Sequence, residues 1–271
     1  MKAIDYRIER ASDVAGAVEA LQADPFAKPI AGGQSLGAML NLRLAQPECV
    51  IDIVGLDALK GLRIESDEMV IGPLVTHARL EDGRYDDATG GMLAHVAAGI
   101  AYRAVRNSGT IGGSLCHADP AADWIAATAA LGATFDIQGP DGTRQVAARD
   151  FMTSAFETTL AEAELLTAIR VPALGDTARW SYRKFCRKTG EFALAIVSGV
   201  VDGQTGIERL VFSALDGAPV VIERAGLFDE LAEPDARQVL LDDDALSISG
   251  HRRALHAGLL ADVIADIRGT G

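Results

Sequence analysis

Cysteine is scarce in this sequence of 271 residues, and its scarcity excludes two kinds of site. The three cysteines, Cys49, Cys116 and Cys186, are widely separated and odd in number, which argues against a disulfide framework. An iron–sulfur cluster held within the chain is excluded as well, because such a cluster takes about four thiolate ligands at close spacing. This use of cysteine is typical of a reducing compartment, and we expect a cytoplasmic location.

Long hydrophobic runs are also missing. No apolar stretch approaches the roughly 20 residues that span a bilayer. The opening residues, MKAIDYRIERASD, have no apolar segment after their charges. We therefore expect neither a membrane span nor a signal peptide.

Positive charge is the third shortage, since 25 Lys and Arg residues stand against 38 Asp and Glu, a formal net charge of −13. This balance disfavours broad electrostatic binding to nucleic acid or to anionic membranes. A bound phosphate would have to be held by local features, such as backbone amides at helix N-termini, rather than by a basic surface.

The order of predicted elements divides the chain into three parts. Residues 1–55 form a small β-α-β-α-β unit, whose strands KPI and CVIDI are predicted to be buried. Residues 56–172 mix hairpins and helices, and Pro172 with the following ALGDTA marks a boundary. Residues 173–271 give strands followed by two helices.

Helix starts are marked by capping residues. Ser12 or Asp13 is predicted to cap the first helix by accepting its free amides. A helix over 119–131 is predicted with Asp119 as its N-cap and Pro120 at its first position, where proline is favoured.

Other local patterns predict further elements. The segment SLGAMLNLRLA (35–45) is predicted to be a helix that Pro47 stops, and residues 91–106 carry apolar positions at helical spacing. Thr76 is predicted to cap the helix that follows a hairpin. A second hairpin is predicted at 133–151, around the turn Gly-Pro-Asp-Gly.

Two Gly-Gly turns carry the strongest chemical signal. AGGQS (31–35) and TIGGS (110–114) each combine paired glycines with a serine just before a predicted helix. Either one alone is explained as a tight turn that needs glycine for positive φ. Together they predict a single anionic ligand, such as a diphosphate, held from two sides by the free amides at the start of each helix. Neither matches G-x-G-x-x-G or the P-loop pattern, so a nicotinamide Rossmann site is not indicated.

Titratable residues give weaker signals. His117, Asp119 and Asp123 lie close together in CHADPAADW but make a poor metal shell without distant partners, so no metal site is assigned. Asp123 is better suited to ligand hydroxyls. The basic run RKFCRKTGE (183–191) reads as a solvated strand end that could also lie beside an anion. The other histidines are interpreted as structural, and no catalytic acid, base or nucleophile is assigned.

At this point the chain resembles the FAD-binding (medium) subunits of molybdenum hydroxylases, in particular the carbon monoxide dehydrogenase medium subunits and the flavin domain of xanthine dehydrogenase. The resemblance covers nearly the whole chain. It runs through AGGQSLGAMLNLRLAQPECVIDI, VRNSGTIGGSLCHADPAADWIAATAALGA, ELLTAIRVP and RKFCRKTGEFALA.

The resemblance implies an α+β fold of three parts. Residues 1–55 and 56–172 would be two subdomains that enclose FAD in the vanillyl-alcohol-oxidase (PCMH) manner. Residues 173–271 would form a C-terminal domain, with a small antiparallel sheet and helices, that packs near the flavin.

The resemblance also implies which residues surround FAD. One side of its diphosphate would be held by Ala31, Gly32, Gly33, Gln34 and Ser35, and the other by Thr110, Ile111, Gly112, Gly113 and Ser114. The rest of the site would comprise Lys28 at its flank, Asp123 on ribityl or ribose hydroxyls, Leu166 and Lys184 on the C-terminal side, and Phe192 near the isoalloxazine.

The function implied is electron transfer. The chain would take electrons from 2Fe-2S clusters on a small partner subunit and pass them through FAD to an external acceptor. A large subunit would carry the molybdopterin cofactor and hydroxylate the substrate, in a dimer of heterotrimers.

Two alternatives compete with this reading. A stand-alone FAD-dependent oxidase of the same superfamily would need a substrate domain and a catalytic base, and the last hundred residues offer no obvious base. A non-catalytic nucleotide-binding scaffold would not need both glycine turns. A yellow colour from bound flavin on purification would distinguish both redox functions from the scaffold.

Overall fold

The N-terminal part is a three-stranded parallel sheet in the order β1-β3-β2. This is seen in a computed structural model, which describes residues 2–248 and 250–269. Its elements are β1 (Arg7–Arg10), α1 (Val14–Ala23), β2 (Lys28–Ile30), α2 (Leu36–Leu42) and β3 (Cys49–Asp52). The predicted β-α-β-α-β order of this part is therefore confirmed.

Local chemistry explains two features of this sheet. The Asp13 carboxylate accepts a 2.8 Å hydrogen bond from the Gly16 N–H, which confirms it as a cap of α1. Strand β2 was predicted to be buried, but it lies at the edge of the sheet, with Lys28 exposed and Ile30 half-buried. Helix α2 ends before the predicted boundary, because Arg43 adopts a left-handed conformation (φ 59°) well before Pro47.

The middle part contains a five-stranded antiparallel sheet in the order β4-β5-β10-β6-β7. A separate ribbon pairs β8 with β9. The strands are β4 (Leu62–Glu65), β5 (Glu68–Ile71), β6 (Thr134–Gly139), β7 (Gly142–Ala147), β8 (Met152–Ser154), β9 (Glu157–Thr158) and β10 (Leu165–Pro172). Both predicted hairpins, β4–β5 and β6–β7, are confirmed.

Six helices accompany this sheet. They are α3 (His77–Glu81), α4 (Met92–Ala98), α5 (Arg103–Arg106), α6 (Ile111–His117), α7 (Asp123–Leu131) and α8 (Ala148–Phe151). Every residue of α7 is buried, and the helix packs against β10 on one side and the C-terminal strands on the other. A helix that is apolar all round belongs in such a core.

Two of the predicted helices were wrong in extent. The helix predicted over 91–106 is broken into α4 and α5, because the chain turns at Gly99 and Ala101 takes a positive φ of 41°. The helix predicted over 119–131 begins only at Asp123. The Asp119 carboxylate accepts from the Ala121 N–H and so closes a local turn instead of capping the helix.

The C-terminal part is a four-stranded antiparallel sheet, with strands in chain order, covered by helices. Its elements are β11 (Arg179–Phe185), β12 (Ala195–Asp202), β13 (Ile207–Ser213), β14 (Val220–Glu223), α9 (Leu227–Glu230), α10 (Pro234–Leu241) and α11 (Gly250–Arg268). The structure thus has a short additional helix, α9, before the predicted pair. Within the described ranges 2–248 and 250–269, no helix is long and apolar enough to cross a bilayer.

Packing of α11 on the sheet gives a first prediction. A Cβ added at Gly199 of β12 would lie 2.7 Å from Ile267 Cδ1 and 2.9 Å from the Phe228 ring. We expect Gly199→Ala to lower the free energy of unfolding by about 1–3 kcal/mol through overpacking. Thermal unfolding followed by circular dichroism measures the loss.

Gly258→Ala is the matched control, because no atom lies within 4 Å of the added Cβ and the position is helical. Alanine favours a helix over glycine, so this variant should unfold at the wild-type temperature or above. If Gly199→Ala were equally harmless, the close packing of α11 on β12 would be contradicted.

Candidate functional site

The two Gly-Gly turns lie directly against each other. The first runs from the end of β2 into α2, and the second leads from α5 into α6. A Cβ added at Gly32 would lie 1.9 Å from the carbonyl oxygen of Ser108, just before the second turn. A Cβ on Gly113 would lie 3.8 Å from the Ala31 Cβ. The predicted meeting of the two turns is therefore found, and it requires glycine at position 32.

The first turn keeps its backbone donors available. In the described structure, the N–H groups of Gly32, Gly33, Gln34 and Ser35 donate to no protein acceptor. Gly33 has a positive φ of 67°, which places these donors in a tight turn. Ser35 is the residue before α2 but its hydroxyl makes no capping bond. Consecutive unpaired amides of this kind form a concavity that suits an anion.

The second turn differs, and here the expectation of free amides is wrong. The Ile111 N–H donates to Val75 O, and the Gly112 N–H donates to Pro73 O. The Gly113 N–H donates to the Thr110 hydroxyl. The amides of Ile111 and Gly112 have protein acceptors because the segment after β5 runs alongside the turn. What this turn offers to a ligand is therefore hydroxyl groups and a close backbone approach.

A cavity of about 410 Å³ lies where the two turns meet. Ala31 and Gly32 line it from the first turn, and Thr110 lines it from the second. Sequence reasoning did not identify its other lining residues, which are Val54, Lys60, Leu74, Thr76, Asn107 and Ser108. Thr76 was predicted only as a helix cap, and its hydroxyl does accept from the Arg79 N–H at 3.2 Å.

A buried histidine lies next to the second turn. The backbone N–H of His77 donates to the Gly109 carbonyl. The ring Nδ1 of His77 accepts from the Trp124 indole N–H at 3.0 Å. Burial, with a smaller contribution from the charge of Arg106, lowers the pKa of His77 to about 4. His77 is therefore neutral at pH 7, which agrees with its interpretation as structural.

A second cluster joins the middle and C-terminal parts. The Lys184 Nζ donates to Asp123 Oδ1 at 2.6 Å and to Gly99 O at 2.8 Å. The Tyr182 hydroxyl donates to the same Asp123 oxygen at 2.8 Å. Two predicted site residues, Asp123 and Lys184, are thus brought together as a largely buried ion pair.

The geometry of this cluster leaves one oxygen for a ligand. Within the described residues, Asp123 Oδ1 takes both hydrogen bonds and Oδ2 takes none. Burial, followed by the charge of Asp123, raises the pKa of Tyr182 well above its ordinary value, so the phenol stays a donor. Sequence reasoning missed Tyr182, although side chains two apart on a strand share a face, which places it beside Lys184.

The remaining predicted residues occupy varied surroundings. Leu166 lies in β10 within the main hydrophobic cluster. Lys28 is exposed on β2, and Phe192 is 65% exposed in the loop after β11. Within ranges 2–248 and 250–269, no three His, Cys, Asp or Glu residues are grouped in a way that could hold a metal.

Residues 4–174 match the model of the FAD-binding domain in molybdopterin dehydrogenase. The chain belongs to this family. The predicted family is therefore confirmed, and with it the prediction that the chain is an FAD-binding subunit of an oxidoreductase.

Individual relatives extend the likeness beyond the matched domain. The medium chain of carbon monoxide dehydrogenase from Hydrogenophaga pseudoflava is 39% identical over 202 residues, which are 74% of this chain and 70% of that one. The nicotine 6-hydroxylase medium subunit of Paenarthrobacter nicotinovorans is 33% identical over 271 residues, covering 100% of this chain and 92% of that one.

The whole fold is shared with a solved structure. This is carbon monoxide dehydrogenase from Hydrogenophaga pseudoflava, in a form that lacks the Mo-pyranopterin moiety of its molybdenum cofactor. The TM-score is 0.88 at 30% identity, over 100% of this chain and 99% of that one. The predicted α+β fold class is thereby confirmed across the chain.

The His77 environment predicts a pH dependence of stability. The folded pKa of about 4 lies below the ordinary value of 6.5, so the unfolded chain binds the extra proton between these values. The contribution of His77 is present above pH 6.5 and is lost as the pH falls towards 4. We expect His77→Gln to reduce the slope of unfolding free energy by about 1.4 kcal/mol per pH unit in this window.

Urea unfolding at several pH values measures the slope, with His251→Gln as the control because His251 is exposed. The control should keep the wild-type slope. An unchanged slope in His77→Gln would contradict the buried neutral imidazole.

Proposed function

We propose that this chain is the FAD-carrying electron-transfer subunit of a heterotrimeric molybdenum hydroxylase. The observation that carries the proposal is the contact of the two Gly-Gly turns beside a cavity of about 410 Å³, with four unpaired amides in the first turn. Unpaired amides in a glycine turn suit a diphosphate, which is the anionic centre of FAD. The residues present therefore fit the cofactor that the family implies.

The roles of individual residues follow the same division. Ala31 to Ser35 would hold one side of the diphosphate through backbone N–H groups. Thr110 to Ser114 would hold the other side, and the Ser114 hydroxyl is a donor that forms no hydrogen bond in the described structure. Lys28 would flank the site as a solvated cation.

The cluster around Asp123 would bind the ribityl or ribose hydroxyls. Its Oδ2 accepts no hydrogen bond from the described residues, so it can accept one from a ligand hydroxyl. Lys184 and Tyr182 keep the carboxylate fixed in orientation. Leu166 and Phe192 are proposed as apolar neighbours of the flavin.

FAD, when bound, would supply the redox chemistry. The chain's own contribution is binding, orientation and the local field. Tyr182 keeps its proton and Asp123 is paired with a lysine, so neither is suited to proton transfer. No catalytic acid or base is assigned.

The partners are proposed because the relatives are named as medium chains or medium subunits, and because the cysteines of this chain do not suit an iron–sulfur cluster. Electrons would come from 2Fe-2S clusters on a small subunit and leave through FAD to an external acceptor. A large subunit would hold the molybdopterin cofactor, and two heterotrimers would pair. The three-part division at residues 55 and 172 and the cytoplasmic location stay predictions.

Purification from the native host tests this function. We expect flavin absorption bands in the preparation, together with a small and a large subunit on a denaturing gel. A yellow chain without partners that reduces oxygen with a small donor would favour the stand-alone oxidase. A colourless chain would contradict both redox functions.

Gly32→Ala tests the contact that builds the site. The added Cβ would meet the Ser108 carbonyl oxygen at 1.9 Å, and a backbone atom cannot move aside as a flexible side chain can. We expect the two turns to separate and FAD binding to weaken about tenfold or more, which corresponds to about 1.4 kcal/mol. Flavin content per chain and titration of the apoprotein with FAD measure the effect.

Gly37→Ala, at the second residue of α2, is the control because nothing lies within 4 Å of its added Cβ. This variant should retain wild-type flavin content. Equal flavin content in the two variants would show that the turn contact does not build the FAD site.

A further inference from the structure

Three consecutive backbone carbonyls between α4 and α5 are all held by cationic side chains. The Gly99 carbonyl accepts from Lys184 Nζ at 2.8 Å. The Ile100 and Ala101 carbonyls accept from Arg106 Nη1 at 2.7 and 3.1 Å. The loop 99–101 is therefore clamped from both sides, by a residue of the C-terminal sheet and by a residue just ahead of the second turn.

Arg106 is itself rigidly held. Its Nε and Nη2 donate to the two carboxylate oxygens of Glu81 at 2.7 and 2.8 Å, a bidentate pair. The Arg106 side chain is only 11% exposed. The guanidinium is thus fixed on α3 at one end and on the loop at the other.

The loop 99–101 contains a residue in an unfavourable backbone conformation. Ala101 has a positive φ of 41°, which costs free energy for a residue with a Cβ. The next residue, Tyr102, packs against the loop that follows β11, where a Cβ on Gly190 would lie 3.0 Å from the Tyr102 ring. Such a backbone shape persists only while surrounding contacts hold it, and Arg106 supplies two of them.

The loop also sets the position of Lys184. Lys184 Nζ is shared between Gly99 O and Asp123 Oδ1, so displacement of Gly99 would change how the ammonium meets the carboxylate. Asp123 and Lys184 belong to the site proposed for the flavin. A change at Arg106 would reach that site through one short, continuous chain of contacts.

We propose that Arg106 is a positioning residue for the flavin site, acting through the loop 99–101 on Lys184. This inference rests on the FAD binding proposed above. Lysine cannot replace Arg106, because a single ammonium lacks the planar fork that serves one carboxylate and two carbonyls together.

The test compares Arg106→Lys with Arg209→Lys in the purified complex. Arg209 is an internal match, since it makes a bidentate pair with Glu223, donates to the Ala130 carbonyl and has a 10% exposed side chain. We expect similar losses of thermal stability in both. Only Arg106→Lys should raise the FAD dissociation constant, by about tenfold, and shift the flavin midpoint potential and visible circular dichroism.

Two outcomes separate the hypotheses. If the wild-type complex holds no FAD, the proposed function fails. If the wild type holds FAD and Arg106→Lys matches Arg209→Lys in potential, dichroism and affinity, this inference alone is overturned and Arg106 is purely structural.

A double-mutant cycle tests the route through Lys184. In a Lys184→Met background, Arg106→Lys should cause no further shift of the midpoint potential, because the cation it positions is absent. A full additional shift would contradict the route.

Glu81→Gln is the second variant if Arg106→Lys does not fold. It keeps the arginine and the shape of its partner but removes the ion pair. We expect a shift of the flavin midpoint potential in the same direction as the shift that Lys184→Met causes, and smaller in size. An unchanged potential would overturn the inference.

Discussion

Helix α7 is buried on every face, and the packing of the middle and C-terminal parts depends on this burial. All of its residues, Asp123–Leu131, are buried between the five-stranded sheet and the C-terminal sheet. Its polar ends must then be satisfied by the protein. At the start, Asp123 pairs with Lys184, and near the end the Ala130 carbonyl accepts from Arg209. One hydrophobic cluster therefore includes residues of both the middle and C-terminal parts.

The two Gly-Gly turns show that one sequence signature can serve different local structures. AGGQS leaves its amides unpaired, whereas the amides of TIGGS are taken up by Pro73, Val75 and the Thr110 hydroxyl. The difference arises from the segment after β5, which lies some forty residues before TIGGS and runs beside it. Gly112 is required by this approach, since an added Cβ would lie 2.2 Å from Pro73 Cβ.

Sequence patterns predicted what depends on neighbours in the chain. The cap at Ser12 or Asp13 and both hairpins were predicted from spacing and turn residues, and the structure has them, with Asp13 as the cap. The meeting of the two turns, which are far apart in the chain, was predicted from their shared signature and is also found. The break at residues 99–101 could not be predicted, because apolar spacing continues through it. The carbonyls exposed by the break accept hydrogen bonds from Arg106 and Lys184, of which the latter is distant in sequence.

The site follows the same rule. The resemblance implied only that Asp123 and Lys184 both surround FAD. Their direct ion pair depends on how β11 packs over α7. The strand pattern places Tyr182 on the same face as Lys184 but gives it no role, and no local pattern gives one to Arg106. Their importance lies in contacts that only the folded chain creates.

The acidity of the chain fits the way in which its cleft is built. A chain with a net charge of −13 repels anions at long range, so an anion has to be recognised at short range. Unpaired amides do this without a desolvated cation, because their dipoles are fixed by the turn. Lys184 is already paired with Asp123 and donates to the Gly99 carbonyl, and Lys60, which lines the cavity, is paired with Asp57. The unpaired amides of the first turn are therefore the donors on which the proposed recognition of an anion depends.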